Sequence, residues 1–132
     1  MRAKNSTPMR ASHAATVDLP RAALELVAAR FRALGEPLRL RILQVLAQGE
    51  SGVSALVRSV GSTQPNVSKH LRILQEVGLV ERRPQGSGVN YSIADVSVLE
   101  LCDIVCAGVR ERLAAQVGAM QGRNGKQVAR RR

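Results

Sequence analysis

The fold is decided by residues 61–83 of this 132-residue chain, which read GSTQPNVSKHLRILQEVGLVERR. Thr63 is a good N-cap for a helix, and Pro65 falls in the first turn, where a missing N–H costs nothing. Apolar residues then recur at i, i+4 and i+7, which puts them on one helical face; they are Val67, Leu71 and Leu74. Gly78 ends this pattern. The segment therefore predicts a helix with a buried stripe and an opposite polar face.

The residues on either side of this helix predict a helix-turn-helix followed by a β-hairpin. Upstream, residues 53–60 have helical spacing and Gly61 closes them, so a tight turn at Gly61-Ser62 joins two helices. Downstream, residues 79–83 and 89–93 alternate as strands, and residues 84–88 form a glycine-rich turn between them. A hairpin in this position is the wing of a winged helix-turn-helix.

The rest of the ordered chain is predicted to be helical. Residues 20–34 and 38–46 carry apolar residues at helical spacing, and a last helix starts near Asp95 and runs to about Val117. The fold class is therefore mainly α with a small β-hairpin. Residues 1–19 are expected to be a flexible arm, residues 20–117 a winged helix-turn-helix domain with dimerisation helices, and residues 118–132 a basic flexible tail.

The net charge of +10 points to a polyanionic partner, but most of it lies in the predicted tails. Residues 1–20 carry +2 and residues 118–132 carry +5, which leaves +3 for the remainder. A basic tail alone would suit nucleic acid or an anionic membrane. With one Phe, one Tyr and no Trp, the chain has no aromatic platform for base stacking. A DNA partner must therefore be inferred from the middle of the chain.

Several other protein classes are not expected. No stretch approaches the ~18 apolar residues of a membrane span, and the basic N-terminus lacks the apolar block of a signal peptide. We therefore expect a cytoplasmic protein whose two cysteines are reduced. An enzyme is not expected either, because the sequence has no HExxH zinc motif, no phosphate-binding P-loop and no plausible nucleophile–base pair.

The outward face of the helix after Thr63 carries side chains that suit the major groove of double-stranded DNA. Glutamine and asparagine amides can read adenine and arginine can read guanine, whereas serine and lysine suit phosphates. Recognition helices use their N-terminal residues for base contacts. The candidate residues are Thr63, Gln64, Asn66, Ser68, Lys69 and Arg72. The alternative is that this face is simply solvated, as on any surface helix.

The predicted wing adds a second set of candidate DNA contacts. Arg82 and Arg83 stand directly before the hairpin tip, which carries Gln85 and Ser87. A tip with flanking arginines can reach a neighbouring groove or the phosphate backbone. The alternative is an ordinary solvated hairpin.

Two long runs of this sequence resemble the ArsR/SmtB family of bacterial repressors. The first is FRALGEPLRLRIL at residues 31–43; the second is TQPNVSKHLRILQEVGLV at residues 63–80, followed by the two arginines and Tyr91. The similarity covers about residues 21–117. It implies a homodimer that binds an inverted-repeat operator and releases it when an effector binds.

His70 lies within the second run and has two interpretations. It either supports the helix as a partly buried residue or contacts DNA, and we expect a mixture of the two. A metal role is not expected, because no second histidine or carboxylate pairs with it at ligand spacing.

The metal sites implied by the resemblance can be checked by position. The arsenite-type site resembles a Cys-x-Cys at the start of the third helix, where this chain has Gly52-Val53-Ser54. The zinc-type site on the last helix uses an Asp and several histidines, and this chain has Asp95 but no histidine after His70. Both sites are therefore expected to be absent.

Cys102 and Cys106 are the remaining candidates for binding a metal or an effector. Thiols at i and i+4 lie on one helical face and could share a thiophilic metal or serve a redox or sulfur effector. The same thiols belong to a 3-4 pattern typical of a coiled-coil seam, in which cysteine packs as a small hydrophobe. The seam comprises Leu99, Cys102, Cys106, Val109 and Leu113. Packing is the favoured interpretation, and sensing at a dimer interface is compatible with it.

The seam and the first helix together predict a homodimer. Leu24 and Phe31 on the first helix add to an apolar surface that a monomer of this size should not leave in water. Pairing across a two-fold axis would present two recognition helices about one DNA turn apart. The competing function is a sequence-tolerant architectural DNA-binding protein held by its basic tails, and the affinity ratio between an inverted repeat and random DNA separates the two.

Overall fold

Five helices and a small antiparallel sheet make up the computed structural model, which describes residues 18–130 and, for residues 124–130, the backbone alone. The elements in chain order are α1 (Arg21–Leu34), α2 (Pro37–Leu46), β1 (Ser51–Gly52), α3 (Val53–Val60), α4 (Gln64–Glu76), β2 (Val80–Gln85), β3 (Gly88–Ile93) and α5 (Ser97–Arg130). The predicted helix-turn-helix is α3 and α4, and the predicted wing is β2 and β3. Residues 1–17 of the predicted N-terminal arm lie outside the described residues.

The core is aliphatic and centred on α4. Val67, Leu71 and Leu74 are all 0% exposed, as the i, i+4, i+7 spacing predicted. They belong to one cluster with buried residues of α2, α3, β2 and α5, which are Ile42, Leu43, Leu46, Leu56, Leu79, Val80 and Val98. Full burial of each such side chain stabilises the fold by roughly 1.5–3 kcal/mol. This cluster fixes which face of α4 points outward.

The sheet has the strand order β1-β3-β2, so the wing hairpin is extended by a short strand that the sequence analysis did not predict. Ser51 pairs with Tyr91 and Gly52 with Asn90, directly before α3 begins. A two-residue strand has no alternation to detect, and only the tertiary pairing reveals it.

The turn of the wing is shorter than predicted. The ladder between β2 and β3 runs from Val80↔Ile93 to Gln85↔Gly88, which leaves Gly86 and Ser87 as the turn. Gly86 has a φ of +61°, a conformation that glycine adopts without strain. Pro84, which we placed in the turn, lies in β2. Because β2 is an edge strand, a residue without an N–H is tolerated there.

The last helix is longer than predicted. α5 spans 34 residues and ends at Arg130, so the predicted end near Val117 was wrong. Eight of residues 118–130 are Ala, Met, Gln, Arg or Lys, which are strong helix formers, and each of the three glycines in this segment costs about 1 kcal/mol. Extension of an existing helix does not repeat the cost of nucleation. Within residues 18–130, no helix is both long and apolar enough to span a membrane.

Candidate nucleic-acid interface

The start of α4 is held in place by its own side chains. Thr63 is the N-cap, and its Oγ1 accepts a hydrogen bond from the backbone N of Asn66 at 3.3 Å. The Nδ2 of Asn66 donates to Ser62 Oγ at 2.9 Å. The preceding Gly61 has a left-handed φ of +68°, which lets the chain reverse between α3 and α4. Thr63 and Asn66, which we selected as DNA contacts, therefore serve first to shape the turn.

The remaining candidates on α4 lie outside its buried stripe. Gln64, Lys69 and Arg72 are exposed, and Ser68 is half-buried. At 100° per residue, Lys69 lies opposite the buried stripe, whereas Gln64, Ser68 and Arg72 follow one flank of it. Glu76 lies at the far end of the helix. The first three turns of α4 thus present amide, hydroxyl, guanidinium and ammonium groups without a carboxylate among them.

His70 faces the protein interior. It is 7% exposed and sits between α4 and α2. Its Nδ1 lies 3.0 Å from Nη1 of Arg39, and its Nε2 lies 4.0 Å from Oε2 of Glu36. The supporting half of our interpretation is therefore what the structure shows. Direct DNA contact was the other half; it stays a prediction, and the burial of the imidazole does not support it.

The geometry fixes the protonation state of His70. A guanidinium has only N–H donors, so Nδ1 must accept from Arg39 and the ring proton must lie on Nε2. Burial lowers the pKa of His70, Glu36 opposes this shift, and Arg39 and Lys69 add to it. A neutral imidazole is therefore the form that joins the recognition helix to α2.

Arg39 extends this junction to α1. Its Nε donates to the carbonyl of Ala33 at 2.5 Å and its Nη2 to that of Arg32 at 3.4 Å. Its backbone N donates to the side chain of Glu36, the N-cap of α2, at 3.0 Å. Sequence analysis missed Arg39 and Glu36, because a charged residue looks the same on a sequence whether it is solvated or hydrogen-bonded to another helix.

The two arginines of the wing lie on opposite faces of the sheet. Arg82 shares a face with buried Val80, whereas Arg83 lies with Glu81 on the polar face, because strand side chains alternate. Arg83 Nη2 is 2.6 Å from Oε1 of Glu81, and both side chains are largely solvated. Arg82 is exposed and forms no ion pair with any other residue of the 18–130 range. Of the two wing arginines, Arg82 is therefore the one whose positive charge is less neutralised by a neighbouring carboxylate.

The tip of the wing is internally hydrogen-bonded. Asn90 Nδ2 donates to Gln85 Oε1 at 2.5 Å, and Ser92 Oγ donates to Glu81 at 3.4 Å. Gln85 and Ser87 are both exposed. Gln85 thus faces solvent with its carbonyl oxygen already engaged, while the hydroxyl of Ser87 lies at the extreme of the hairpin.

Cys102 and Cys106 are half-buried, and Cys102 packs against the hydrophobic core. Burial raises the pKa of the Cys102 thiol, and the neighbouring Cys106 and Asp103 add to the shift. A protonated thiol is a poor nucleophile and a poor metal ligand. Across residues 18–130, no three His, Cys, Asp or Glu side chains come together as a possible metal site. The contact of Cys102 with the core supports packing of this thiol, and sensing at a dimer interface stays a prediction.

A continuous apolar surface runs along α1 and α5. Leu24 and Phe31 on α1 are 50% and 56% exposed, and Leu99 at the start of the predicted seam packs on the core. Further along α5 the seam lies uncovered and continues past Leu113. The exposed residues are Val105, Val109, Leu113, Val117 and Met120.

Comparison with known proteins gives consistent matches. Residues 36–82 match the family model of the bacterial regulatory proteins of the arsR family. A probable mercury resistance operon repressor from Streptomyces lividans is 37% identical over 95 residues, which are 72% of this chain and 76% of that protein.

Solved structures extend this similarity to the fold. A homodimeric winged helix-turn-helix DNA-binding domain from Mycobacterium bovis, described as a possible ArsR-family transcriptional regulator, has a TM-score of 0.66 and 36% identity. The match covers 74% of this chain and 93% of that one. A Mycobacterium tuberculosis protein has a TM-score of 0.65 and 30% identity, over 74% of this chain and 99% of its own.

We predict that His70 makes stability fall in mild acid. Since its folded pKa lies below its ordinary value, the unfolded chain takes up a proton more readily as pH falls below about 6.5, and this favours unfolding until the folded pKa is reached. His70→Asn keeps an acceptor near the Nδ1 position but does not titrate. Urea unfolding from about pH 7.5 to about pH 5.5 should therefore show a larger loss for wild type than for the variant. Equal losses would contradict the assigned role of the imidazole.

We also predict that the two thiols are packing residues. Cys102→Ser should lower the free energy of unfolding by ~1 kcal/mol or somewhat more, and Cys106→Ser by less, because only Cys102 packs on the core. The double serine variant should bind DNA like wild type. Each protein is loaded on DNA and treated with zinc, arsenite, a persulfide and an oxidant. Release of wild type alone by any of these would identify the thiols as a sensor.

Proposed function

The chain belongs to the ArsR family of bacterial regulatory proteins, and on this premise we propose that it is a homodimeric repressor that reads an inverted-repeat operator with α4. The observation that carries the proposal is the exposed polar face of α4, whose orientation is fixed by a fully buried stripe on its other side. A major groove admits a helix in this way. Such a regulator works where the chromosome lies, in the cytoplasm.

We assign separate roles to the candidate DNA contacts. Gln64 and Arg72 are the base-reading residues, because both are exposed and Gln64 opens the helix. Lys69 and Ser68 suit phosphates, as do Arg82, Arg83 and the exposed tip residues Gln85 and Ser87. Thr63 and Asn66 contribute by holding the start of α4, and His70 by anchoring it from inside.

Dimerisation is supported by the uncovered apolar residues of α1 and α5. Leu24, Phe31, Val109 and Leu113 are each at least half exposed in the single chain. Apolar residues in such a row are typical of an interface rather than of a monomer's surface. The Mycobacterium bovis relative is homodimeric, which supports the same assembly here. We infer release by an effector from the family. The thiol experiment above tests zinc, arsenite, a persulfide and an oxidant as that effector.

The DNA-reading role of α4 is tested by Gln64→Ala and Arg72→Ala. Each should weaken binding to the preferred site by ~1–3 kcal/mol and relax discrimination against shuffled DNA. Arg83→Ala should weaken both DNAs by the same small factor, because Arg83 is already paired with Glu81. Fluorescence anisotropy measures all affinities, on a duplex that wild type enriches from a random-sequence pool.

Two controls match the α4 variants. Gln75→Ala removes an exposed amide at the far end of α4, and Arg21→Ala removes one positive charge from α1. Neither should alter the ratio of specific to random affinity. If wild type itself lacks such a ratio, or if all variants reduce both affinities in proportion, the protein is a sequence-tolerant architectural binder and α4 does not read DNA.

The assembly is tested by placing a charge on the apolar row of α5. Leu113→Asp should convert the dimer to a monomer, because a carboxylate would be buried at the interface without a partner. Ala115→Asp adds the same charge on the opposite side of the helix and should leave the dimer intact. Sedimentation equilibrium at micromolar concentration distinguishes the two species. A monomeric wild type would overturn both the dimer and the expectation of a palindromic site.

A further inference from the structure

We propose that Arg30 is a positioning residue that ties the two dimerisation helices to the end of the recognition helix; this inference rests on the proposed function. From α1, its Nε donates to the carbonyl of Val77 at 3.1 Å. Its Nη1 donates to Oδ2 of Asp95 at 2.5 Å. One guanidinium therefore joins α1, the C-cap of α4 and the segment that opens α5.

Asp95 passes the contact on to α5. Its Oδ1 accepts from the backbone N of Ser97 at 3.0 Å and from Ser97 Oγ at 2.5 Å, so it holds the first turn of the helix. The hydrogen bonds from Ser97 and Arg30 lower the pKa of the Asp95 carboxyl. The carboxylate is thus ionised at neutral pH and bridges Arg30 and α5. A charge-assisted bond of this kind has about twice the strength of a neutral one.

The contact between Arg30 and Val77 lies at the point where α4 ends and the chain continues into the wing. Gly78 follows with a φ of +78°, and a Cβ built on it would lie only 3.2 Å from Nη2 of Arg30. The guanidinium therefore rests against the backbone at the exit of α4. Leu79 continues from there into the core, with its N bonded to the carbonyl of Leu74 at 2.9 Å and its carbonyl accepting from Ala94 at 3.0 Å.

The surroundings of Arg30 indicate that movement of α1 would be transmitted to the end of α4. A cavity of about 190 Å³ lies between α1 and α5 beside the ion pair, and its apolar lining includes Phe31, Leu34 and Leu101. α1 packs mainly on α2, and the bond from Arg30 to Val77 links it directly to the end of α4. The ion pair is only partly solvated, with side-chain exposures of 44% for Arg30 and 26% for Asp95. A shift of α1 against α5 would therefore pull on the carbonyl that ends the recognition helix.

Arg30→Met tests this role, with Arg21→Met as the control that loses the same charge on the same helix. Arg21 pairs only with Glu25, within α1, among the described residues, and is 92% exposed. The probes are the inverted-repeat duplex enriched by wild type and a shuffled duplex of equal length. We expect Arg30→Met to lower affinity for the inverted repeat about tenfold more than Arg21→Met does, a loss typical of misplaced base contacts. Affinity for the shuffled duplex and the dimer dissociation constant should match those of the control.

Arg30→Lys separates positioning from simple loss of stability. One ammonium can keep the ion pair with Asp95 but lacks the planar fork that reaches Val77 at the same time. Its affinity ratio between the two duplexes should therefore fall between those of wild type and Arg30→Met, while urea unfolding stays close to wild type. If Arg30→Met does not fold, the reduced ratio of Arg30→Lys carries the test.

The outcomes distinguish this inference from the proposed function. An undiminished affinity ratio in both Arg30 variants, with a discriminating wild type, overturns the positioning role alone. Equal losses on the two duplexes also overturn it, because they indicate a role in charge or stability. A wild type that prefers no inverted repeat overturns the proposed function itself.

Discussion

The burial of one face of α4 is the constraint on which the rest of the structure depends. Val67, Leu71 and Leu74 are wholly inaccessible to solvent and meet the aliphatic residues of α2, α3 and α5 in one cluster. Since side chains at i, i+4 and i+7 share a face, burying them turns Lys69 and Arg72, which lie between them, outward. The same contacts that stabilise the domain therefore present Lys69 and Arg72, while Gln64 is exposed in the first turn, before the buried stripe begins.

Apolar packing fixes the rotation of α4 about its axis, and polar contacts hold its ends. At the start, Thr63 and Asn66 cap the first turn and the glycine before them allows the reversal. In the middle, His70 receives a hydrogen bond from Arg39, which is itself anchored to the last carbonyls of α1. At the end, Arg30 bonds to the C-cap carbonyl. Hydrogen bonds are directional, so they specify positions that aliphatic contacts alone leave adjustable.

α5 combines two roles along one stripe. Near its start, Val98 is buried and Leu99 and Cys102 are partly buried against the domain's own core. Further on, from Val105 to Met120, the stripe has no cover within the single chain. A helix whose apolar residues are buried in its own domain at one end and exposed at the other is suited to pack against a partner subunit. Cys102 and Cys106 lie at the boundary between the part of α5 that packs on its own domain and the part that is exposed.

The sequence by itself determined the order of the helices, the helix-turn-helix, the wing and the exposed face of α4. Each of these follows from a local signal: an N-cap, an apolar period of 3.6, a glycine at a turn or a period of two. It also identified the apolar face of α1 and the seam of α5, because exposed and buried apolar residues obey the same spacing.

Only the tertiary structure decided the pairing of β1 with β3, the length of α5, the shorter wing turn and the inward position of His70. It also decided the contacts of Arg30 and Arg39, whose partners Asp95 and His70 are 65 and 31 residues away along the chain. The physical reason is that spacing within one helix or strand indicates which residues share a face, whereas a hydrogen bond between distant elements depends on how those elements pack. Charged residues such as Arg30 and Arg39 look alike on a sequence whether they are solvated or joined to a carbonyl, and their partners are set by the fold.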